Sequence, residues 1–148
     1  MMAKKILVPT DFSTTTKAAM QLATSLARDS GAALVILHVE EPPMAYGGGE
    51  FYYGIQEPDQ DELLRMLHEF VPADPAVPYV HRSVTGDPAH TIVRVAEEED
   101  VDMIVMASHG RTGLTRLLMG SVAEVVVRHA KCPVLTVKQP EKAKAAAH

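Results

Sequence analysis

The chain has 148 residues and a mass of 16.0 kDa, which suits one domain of ordinary size. Hydrophobic residues make up 47% and charged residues 22%, and no apolar run reaches the roughly 20 residues that cross a bilayer, so we expect no membrane-spanning helix. The formal net charge of -5 is unevenly divided, because residues 1–102 hold 7 of the 14 Lys and Arg but 17 of the 19 Asp and Glu. No dense Lys/Arg stripe is interleaved with aromatic residues, which makes nucleic acid a poor candidate partner.

The N-terminal sequence MMAKKILVPTDF has an apolar run that Pro9 and Asp11 interrupt, which is not the pattern of a signal peptide. We therefore expect a cytoplasmic protein with no membrane partner. The single cysteine, Cys132, has no second cysteine with which to form a disulfide or a metal site. We expect one domain over residues 1–138, followed by a disordered tail over 139–148.

Five apolar runs rich in Val, Ile and Leu predict five strands. They are KILVPT (5–10), AALVILHV (32–39), VPYVHRSV (77–84), VDMIVMA (101–107) and CPVLTV (132–137). Three of them contain the continuously apolar segments ILV, LVIL and MIVM, which are typical of strands covered on both faces. The runs therefore indicate a parallel sheet.

Helices are predicted between these strands from their end signals. The first helix lies between Ser13, an N-cap residue, and Gly31, which stops it. An amphipathic helix covers 59–70, and a third begins where Asp87 caps it and Pro88 takes its first position. The resulting order βαβαβαβαβ, with right-handed crossovers, predicts an open doubly wound α/β fold.

The connection over residues 42–58 is long for an α/β loop, and it holds four of the seven aromatic residues of the chain. Its three consecutive glycines favour a mobile insertion, whereas the aromatics favour a lid or a subunit contact. Both interpretations stay open.

Two other loops follow strands at the edge where small ligands of such sheets bind, namely PTDFS (9–13) and ASHG (107–110). If the first and fourth strands are neighbours, both loops face one crevice. Asp11 either contacts a ribose or a metal ion, or caps the first helix together with Ser13. His109 either bonds to local backbone or contacts a ligand.

The second loop continues into ASHGRTGLTRLLMGSVAE, where Ser121 and Glu124 form an S-x-x-E capping box at the predicted start of the fourth helix. A helix N-terminus offers unpaired N–H groups and partial positive charge, and Gly120 would let an anion approach the backbone. An anion-binding loop and a glycine-rich turn without a ligand both fit this pattern.

Several sharper motifs are absent from the sequence. It has neither the phosphate loop G-x-x-x-x-G-K-[ST] nor G-x-G-x-x-G at a helix start. Ser108 is not in a hydrolase triad, because no Asp follows residue 102 and the downstream Glu124 and His129 belong to one helix. The seven histidines form no HExxH pair, which argues against a compact zinc site.

Four segments together form a recognisable combination. They are ILVPTDFS (6–13), LHV (37–39), GDPAHTIV (86–93) and SHGRTGLTRLLMGSVAEVVVRHAKCPVLTV (108–137). Over nearly its whole length the sequence resembles the universal stress protein family. Nucleotide-binding members carry G-x-x-G, nine residues, then G-[ST], and the corresponding positions here are Ala107, Gly110, Gly120 and Ser121.

The resemblance implies a five-stranded parallel sheet of order 3-2-1-4-5 that binds ATP, or AMP or ADP, with Mg or Mn. Asp11 would lie near the ribose and the metal, Val39 would meet the adenine through its backbone, and the start of the fourth helix would hold the phosphates. The nucleotide-lining positions that the resemblance implies are Pro9, Thr10, Asp11, Val39, Met106, Ala107, His109, Gly110, Gly120, Ser121 and Val122.

Ala107 departs from the family motif, which has glycine at this position. If the backbone there needs a positive φ, alanine would cost about 1 kcal/mol, whereas an extended strand end accepts alanine. We expect the extended case, because Ala107 directly continues the run VDMIVM.

The resemblance also implies a homodimer. Pro133 opens the last strand, which places that strand at a sheet edge. The dimer contact would involve Val134, Leu135, Thr136 and Val137.

The leading functional hypothesis is an ATP-binding regulatory or stress-response module. A dimeric interaction protein without a nucleotide, and a slow ATPase, are the alternatives. We expect any turnover to be slow, because only Asp11 and His109 are candidates for a general base.

Overall fold

The computed structural model describes residues 4–42, 59–109 and 119–138. Strands and helices alternate in the predicted order, and their ends differ from the predicted ones by at most two residues. They are β1 (Lys5–Pro9), α1 (Thr14–Ser30), β2 (Ala33–Glu40), α2 (Gln60–Glu69), β3 (Tyr79–Thr85), α3 (Pro88–Glu98), β4 (Met103–Ala107), α4 (Ser121–His129) and β5 (Val134–Val137). The predictions for the aromatic connection beyond Pro42, for 110–118 and for the tail 139–148 lie outside the described residues.

The strands form one parallel sheet of order β3-β2-β1-β4-β5, which confirms the predicted topology. Alternate residues of the central strands face opposite sides. Ile6 and Val8 pack in one core with α1 and Leu67 of α2, whereas Leu7 packs in the other with α3 and α4. Because Ile6, Leu7 and Val8 are all 0% exposed, the prediction that this strand is covered on both faces is confirmed.

The helix ends agree with most of the predicted signals. Gly31 ends α1 at φ 77°, and the Asp87 carboxylate accepts the backbone N–H of His90 in the first turn of α3 at 3.0 Å. That hydrogen bond lowers the pKa of Asp87. Ser13 occupies the N-cap position of α1, but its hydroxyl makes no capping bond to the helix backbone and lies 2.7 Å from Thr15 Oγ1. Within the described ranges, no helix is long and apolar enough to cross a bilayer.

Asp102 joins the amino ends of β1 and β4. Its Oδ2 accepts the backbone N–H of Lys4 at 2.7 Å and of Lys5 at 3.0 Å. These two bonds favour the charged carboxylate, so the pKa of Asp102 is lowered. The carboxylate therefore stabilises the fold above the ordinary Asp pKa of about 3.9, and this contribution is lost as pH falls through the lower folded pKa.

We expect Gly31→Ala to lower the free energy of unfolding by about 1 kcal/mol, because an L side chain is strained in the left-handed region. An added Cβ at Gly31 meets nothing within 4 Å, so the loss isolates the backbone effect. Urea unfolding measures the change, and Gly31→Asn should lose less, since Asn adopts this conformation more readily. Equal stability of Gly31→Ala and the wild type would contradict the left-handed conformation assigned to Gly31.

We expect Asp102→Asn to be less stable than the wild type at pH 7, and the two stabilities to converge as pH falls below about 4. The reason is that protonation removes from the wild type the same charge that the substitution removes. Chemical unfolding from pH 7 to pH 3 tests this. Asp29→Asn is the control, because it removes the charge of an exposed carboxylate on α1 and should not destabilise the protein at pH 7. A difference between wild type and Asp102→Asn that stays constant with pH would rule out the charge effect.

Candidate functional site

The strands β1 and β4 separate at their carboxyl ends. All five residues of β1 pair with β2, but pairing between β1 and β4 covers only Ile6 with Met103 and Leu7 with Ile104. Strand β4 nevertheless continues beside β5 as far as Ala107. The strand order reverses between β1 and β4, so this separation lies at the place where doubly wound sheets form their ligand-binding crevice.

Pro9 accounts for the end of this ladder. The N–H of Thr10 bonds to Leu37 of β2 at 2.8 Å, and the carbonyl of Lys5 accepts from Asp102 at the start of β4. Since backbone groups alternate along a strand, Pro9 faces β4, as Lys5 does. Proline has no N–H to donate, so the ladder lacks its next bond at this position.

Thr10 organises the turn that follows β1. Its hydroxyl accepts the N–H of Phe12 at 3.0 Å and lies 3.2 Å from Thr16 Oγ1. Because Thr16 donates its own hydroxyl hydrogen to the carbonyl of Ser13 at 2.7 Å, Thr10 must be the donor to Thr16. Thr10 is 5% exposed, so its side chain shapes the site from within.

Asp11 lies between β1 and α1. Its Oδ1 accepts the backbone N–H of Ser13 at 2.9 Å, which fixes the carboxylate against the start of α1. Of the two predicted roles, the contact with the beginning of the helix is therefore present. Asp11 is half-buried at the carboxyl edge of the sheet, beside the crevice.

Phe12 and His38 are two site residues that the sequence did not single out. Phe12 has φ 64°, a left-handed conformation that costs a non-glycine residue about 1–2 kcal/mol. Its ring centroid lies 4.5 Å from that of His38, whose Nδ1 is 3.1 Å from the carbonyl oxygen of Thr10. The available signal was a histidine inside the apolar run AALVILHV, at the end nearest the site.

Val39 turns its backbone toward the crevice side of β2. The N–H of Ala33 bonds to Lys4, just before β1, and that of Leu34 to Pro78, just before β3, so odd-numbered residues of β2 face β1. Val39 therefore directs its N–H and C=O toward the space beyond Pro9, where β1 has ended. This orientation is the one that a backbone contact with a ligand requires.

Ala107 is extended, as predicted. It is the last residue of β4 and pairs with Val137 of β5, and among the described non-glycine residues only Phe12 and Asp100 have positive φ. Ser108 continues this geometry, because its N–H bonds to the carbonyl of Val137 at 2.9 Å. Alanine therefore fits the backbone at this motif position.

The start of α4 is tied to the end of β4. The N–H of Gly120 donates to the carbonyl of Ser108 at 2.7 Å, and the carbonyl of Gly120 accepts the first intrahelical bond, from Glu124. Gly120 is thus the N-cap, at φ -65° and ψ 158°, and Ser121 is the first helical residue. The predicted capping box is wrong, because Ser121 lies one position too far along the helix, and Glu124 pairs instead with Arg128 at 2.9 Å.

This geometry gives α4 an N-terminus directed at the crevice side of the sheet. The N–H groups of Ser121, Val122 and Ala123 precede the first intrahelical bond, so they are the groups that an anion can use. Gly120 uses its own N–H internally.

The structure brings most of the predicted site residues to one edge of the sheet. Pro9, Thr10 and Asp11 come from β1 and its turn, Val39 from β2, Met106, Ala107 and His109 from β4 and the residues after it, and Gly120, Ser121 and Val122 from the start of α4. Gly110 lies outside the described residues. Met106 is 5% exposed and belongs, with Val122, to the core beneath α3 and α4.

The described residues contain no group of three His, Cys, Asp or Glu side chains that could hold a metal ion.

Two side chains with raised pKa values precede β5 at the amino edge of the sheet, opposite the crevice. Burial raises the pKa of the Cys132 thiol. A hydrogen bond from Lys131 to Glu97, 2.9 Å long, raises the pKa of Lys131.

The model of the universal stress protein family matches residues 2–138. The chain belongs to the universal stress protein family. Universal stress protein MJ0577 of Methanocaldococcus jannaschii is 32% identical over 157 residues, covering 93% of this chain and 96% of that protein. Its solved structure matches with a TM-score of 0.74 and 33% identity, over 95% of this universal stress protein and 99% of the other chain.

Two further solved structures of the family contain nucleotides. A universal stress protein in complex with cAMP matches with a TM-score of 0.69 and 26% identity, covering 93% of this chain and 98% of that chain. The universal stress protein of Archaeoglobus fulgidus in complex with dAMP matches with a TM-score of 0.67 and 25% identity, over 93% and 100% of the two chains. Some family members of this fold thus bind adenine nucleotides.

We expect Ala107→Gly to lower the free energy of unfolding by about 0.5–1 kcal/mol. An extended, paired strand residue gains nothing from the freedom of glycine and loses its methyl packing. Thermal or urea unfolding tests this. A glycine variant more stable than the wild type would show that Ala107 is strained.

Proposed function

We propose that this universal stress protein binds ATP, or AMP or ADP, and acts as a regulatory or stress-response module whose state depends on nucleotide occupancy. The observation that carries the proposal is the crevice between β1 and β4, where the ladder ends at Pro9 and the N-terminus of α4 is tied to Ser108. An acceptor-rich turn lies on one side of this crevice and a set of N–H donors on the other.

The nucleotide would be held mainly by backbone groups. The adenine would meet the N–H and C=O of Val39, which point past the end of β1. Asp11 would accept from the ribose hydroxyls. The phosphates would lie at the start of α4, where Ser121 adds a hydroxyl to the N–H groups and the positive end of the helix dipole.

A divalent ion, Mg or Mn, would be held by Asp11 and would offset the negative charge of the phosphates. Because Asp11 is the protein carboxylate predicted at this position, most other ligands of the ion would be phosphate oxygens and water. Such an ion would bind together with the nucleotide.

The chemistry of the described residues fits a protein that binds ATP rather than one that hydrolyses ATP rapidly. Asp11 is bonded to the backbone of Ser13, and Ser108 is 3% exposed, 3.2 Å from the ring of the adjacent His109. We therefore propose that any ATP hydrolysis is slow. Hydrolysis is measured separately, with Asp11→Ala as the control.

We also propose a homodimer through β5, the edge strand formed by Val134, Leu135, Thr136 and Val137. Leu135 is 37% exposed, and the outer edge of this strand offers backbone groups to a second copy. The alternative function, a dimeric interaction protein without a nucleotide, would use the same edge. Sedimentation of the wild type and of Leu135→Asp tests the interface.

The first test is to denature freshly purified protein and to look for released nucleotide by chromatography. We expect adenine nucleotide in the supernatant, and a higher Tm when ATP and magnesium are added to emptied protein. If no nucleotide is released and ATP does not change Tm, ATP binding is refuted and the dimeric interaction protein is favoured.

A substitution at Gly120 locates the phosphates. Its φ and ψ are open to any residue, so Gly120→Leu should fold, while its side chain would occupy the space before α4. We expect an ATP affinity about tenfold weaker or worse, measured by calorimetry. Val127→Leu, at an exposed position on the same helix, is the matched control and should bind as the wild type does. Unchanged affinity in Gly120→Leu would place the phosphates elsewhere.

A further inference from the structure

We propose that His38 is the positioning residue of this site, and that it fixes the turn of residues 10–13 in the conformation that presents Asp11 to the crevice. The identity of the ligand as a nucleotide rests on the proposed function, but the contacts of His38 do not depend on it. His38 is 8% exposed and lies on β2, 28 residues away from the turn that it contacts.

The hydrogen bond to Thr10 defines the state of the imidazole. A carbonyl oxygen only accepts, so Nδ1 of His38 must carry the hydrogen that it shares with Thr10 over 3.1 Å. The neutral ring is therefore the Nδ1–H tautomer. The accepting carbonyl belongs to the residue directly before Asp11.

The second contact is with the residue directly after Asp11. The ring of Phe12 lies 4.5 Å from the His38 ring at an interplanar angle of 34°. Phe12 needs such support because its backbone is left-handed, at φ 64°. His38 thus holds the turn on both sides of Asp11, through a hydrogen bond to one neighbour and ring packing on the other.

The position of His38 on β2 links two parts of the proposed site. Its successor, Val39, directs its backbone to the space beyond β1, whereas the His38 side chain supports the turn from the α1 side of the sheet. A shift of the end of β2 would therefore move the adenine contact and Asp11 together. This arrangement makes His38 a determinant of nucleotide affinity without any contact to the nucleotide.

Two substitutions separate the hydrogen bond from the ring. His38→Asn keeps an N–H donor where Nδ1 stands but removes the ring, whereas His38→Phe keeps a ring and removes the donor. The Ser13 amide reports on the turn because its N–H bonds to Asp11. In His38→Phe we expect the hydrogen of this amide to exchange with solvent about tenfold faster, and we expect ATP to bind about five- to tenfold more weakly. His38→Asn should recover most of both losses, to within about threefold of the wild type. His68→Asn, on α2, is the control and should change neither quantity.

The outcomes decide the inference and the proposed function separately. If Ser13 exchange and ATP affinity in folded His38→Phe equal those of the wild type, His38 has only a structural role and the inference is overturned. If the wild type binds no ATP, the proposed function fails, and the exchange rates alone decide the role of His38. If His38→Phe does not fold, ¹⁵N spectra of the wild-type ring decide it, because an Nε2–H tautomer would overturn the inference and an Nδ1–H tautomer supports it.

Discussion

The missing hydrogen-bond donor of Pro9 is the constraint on which the site depends. Along β1 the backbone groups alternate between β2 and β4, and Pro9 falls on the side of β4. The ladder between β1 and β4 therefore ends after Leu7 and Ile104, while each strand continues beside its other neighbour. A parallel sheet that paired fully across this boundary would have no space at the reversal of its strand order. Here β1 and β4 separate while each stays paired with its other neighbour, so the space opens without an exposed strand edge in the middle of the sheet.

The surroundings of this opening are built from buried contacts. Thr10 and His38 are almost fully buried, and both hold the turn that contains Asp11. On the other side, the bond from Gly120 to Ser108 fixes where α4 begins. In the proposed function, such contacts would let a nucleotide meet groups that are already in place, which would lower the entropy lost on binding. The left-handed Phe12 shows that the turn keeps this conformation at a cost, since a relaxed turn would not need it.

A cluster of charged side chains lies at the opposite edge of the sheet. Lys5 and Arg82 converge on Glu99, with contacts of 3.4 Å and 3.1 Å, and Asp102 accepts from the start of β1. Partly exposed ion pairs of this kind contribute little individually, but here they join strands to the end of α3. The amino edge thus holds these elements together.

The sequence by itself determined the elements of the fold. Continuous apolar runs predicted the strands. Helix ends were predicted from Asp87 with Pro88 and from Gly31, because these signals depend on neighbouring residues. The strand order and the nucleotide positions came from the family resemblance, and the order is confirmed. Only the tertiary structure decided that Gly120, not Ser121, is the N-cap of α4 and that His38 contacts the turn that contains Asp11. Both results depend on contacts between residues far apart in the chain, namely Gly120 with Ser108 and His38 with Thr10, and no local pattern records such contacts.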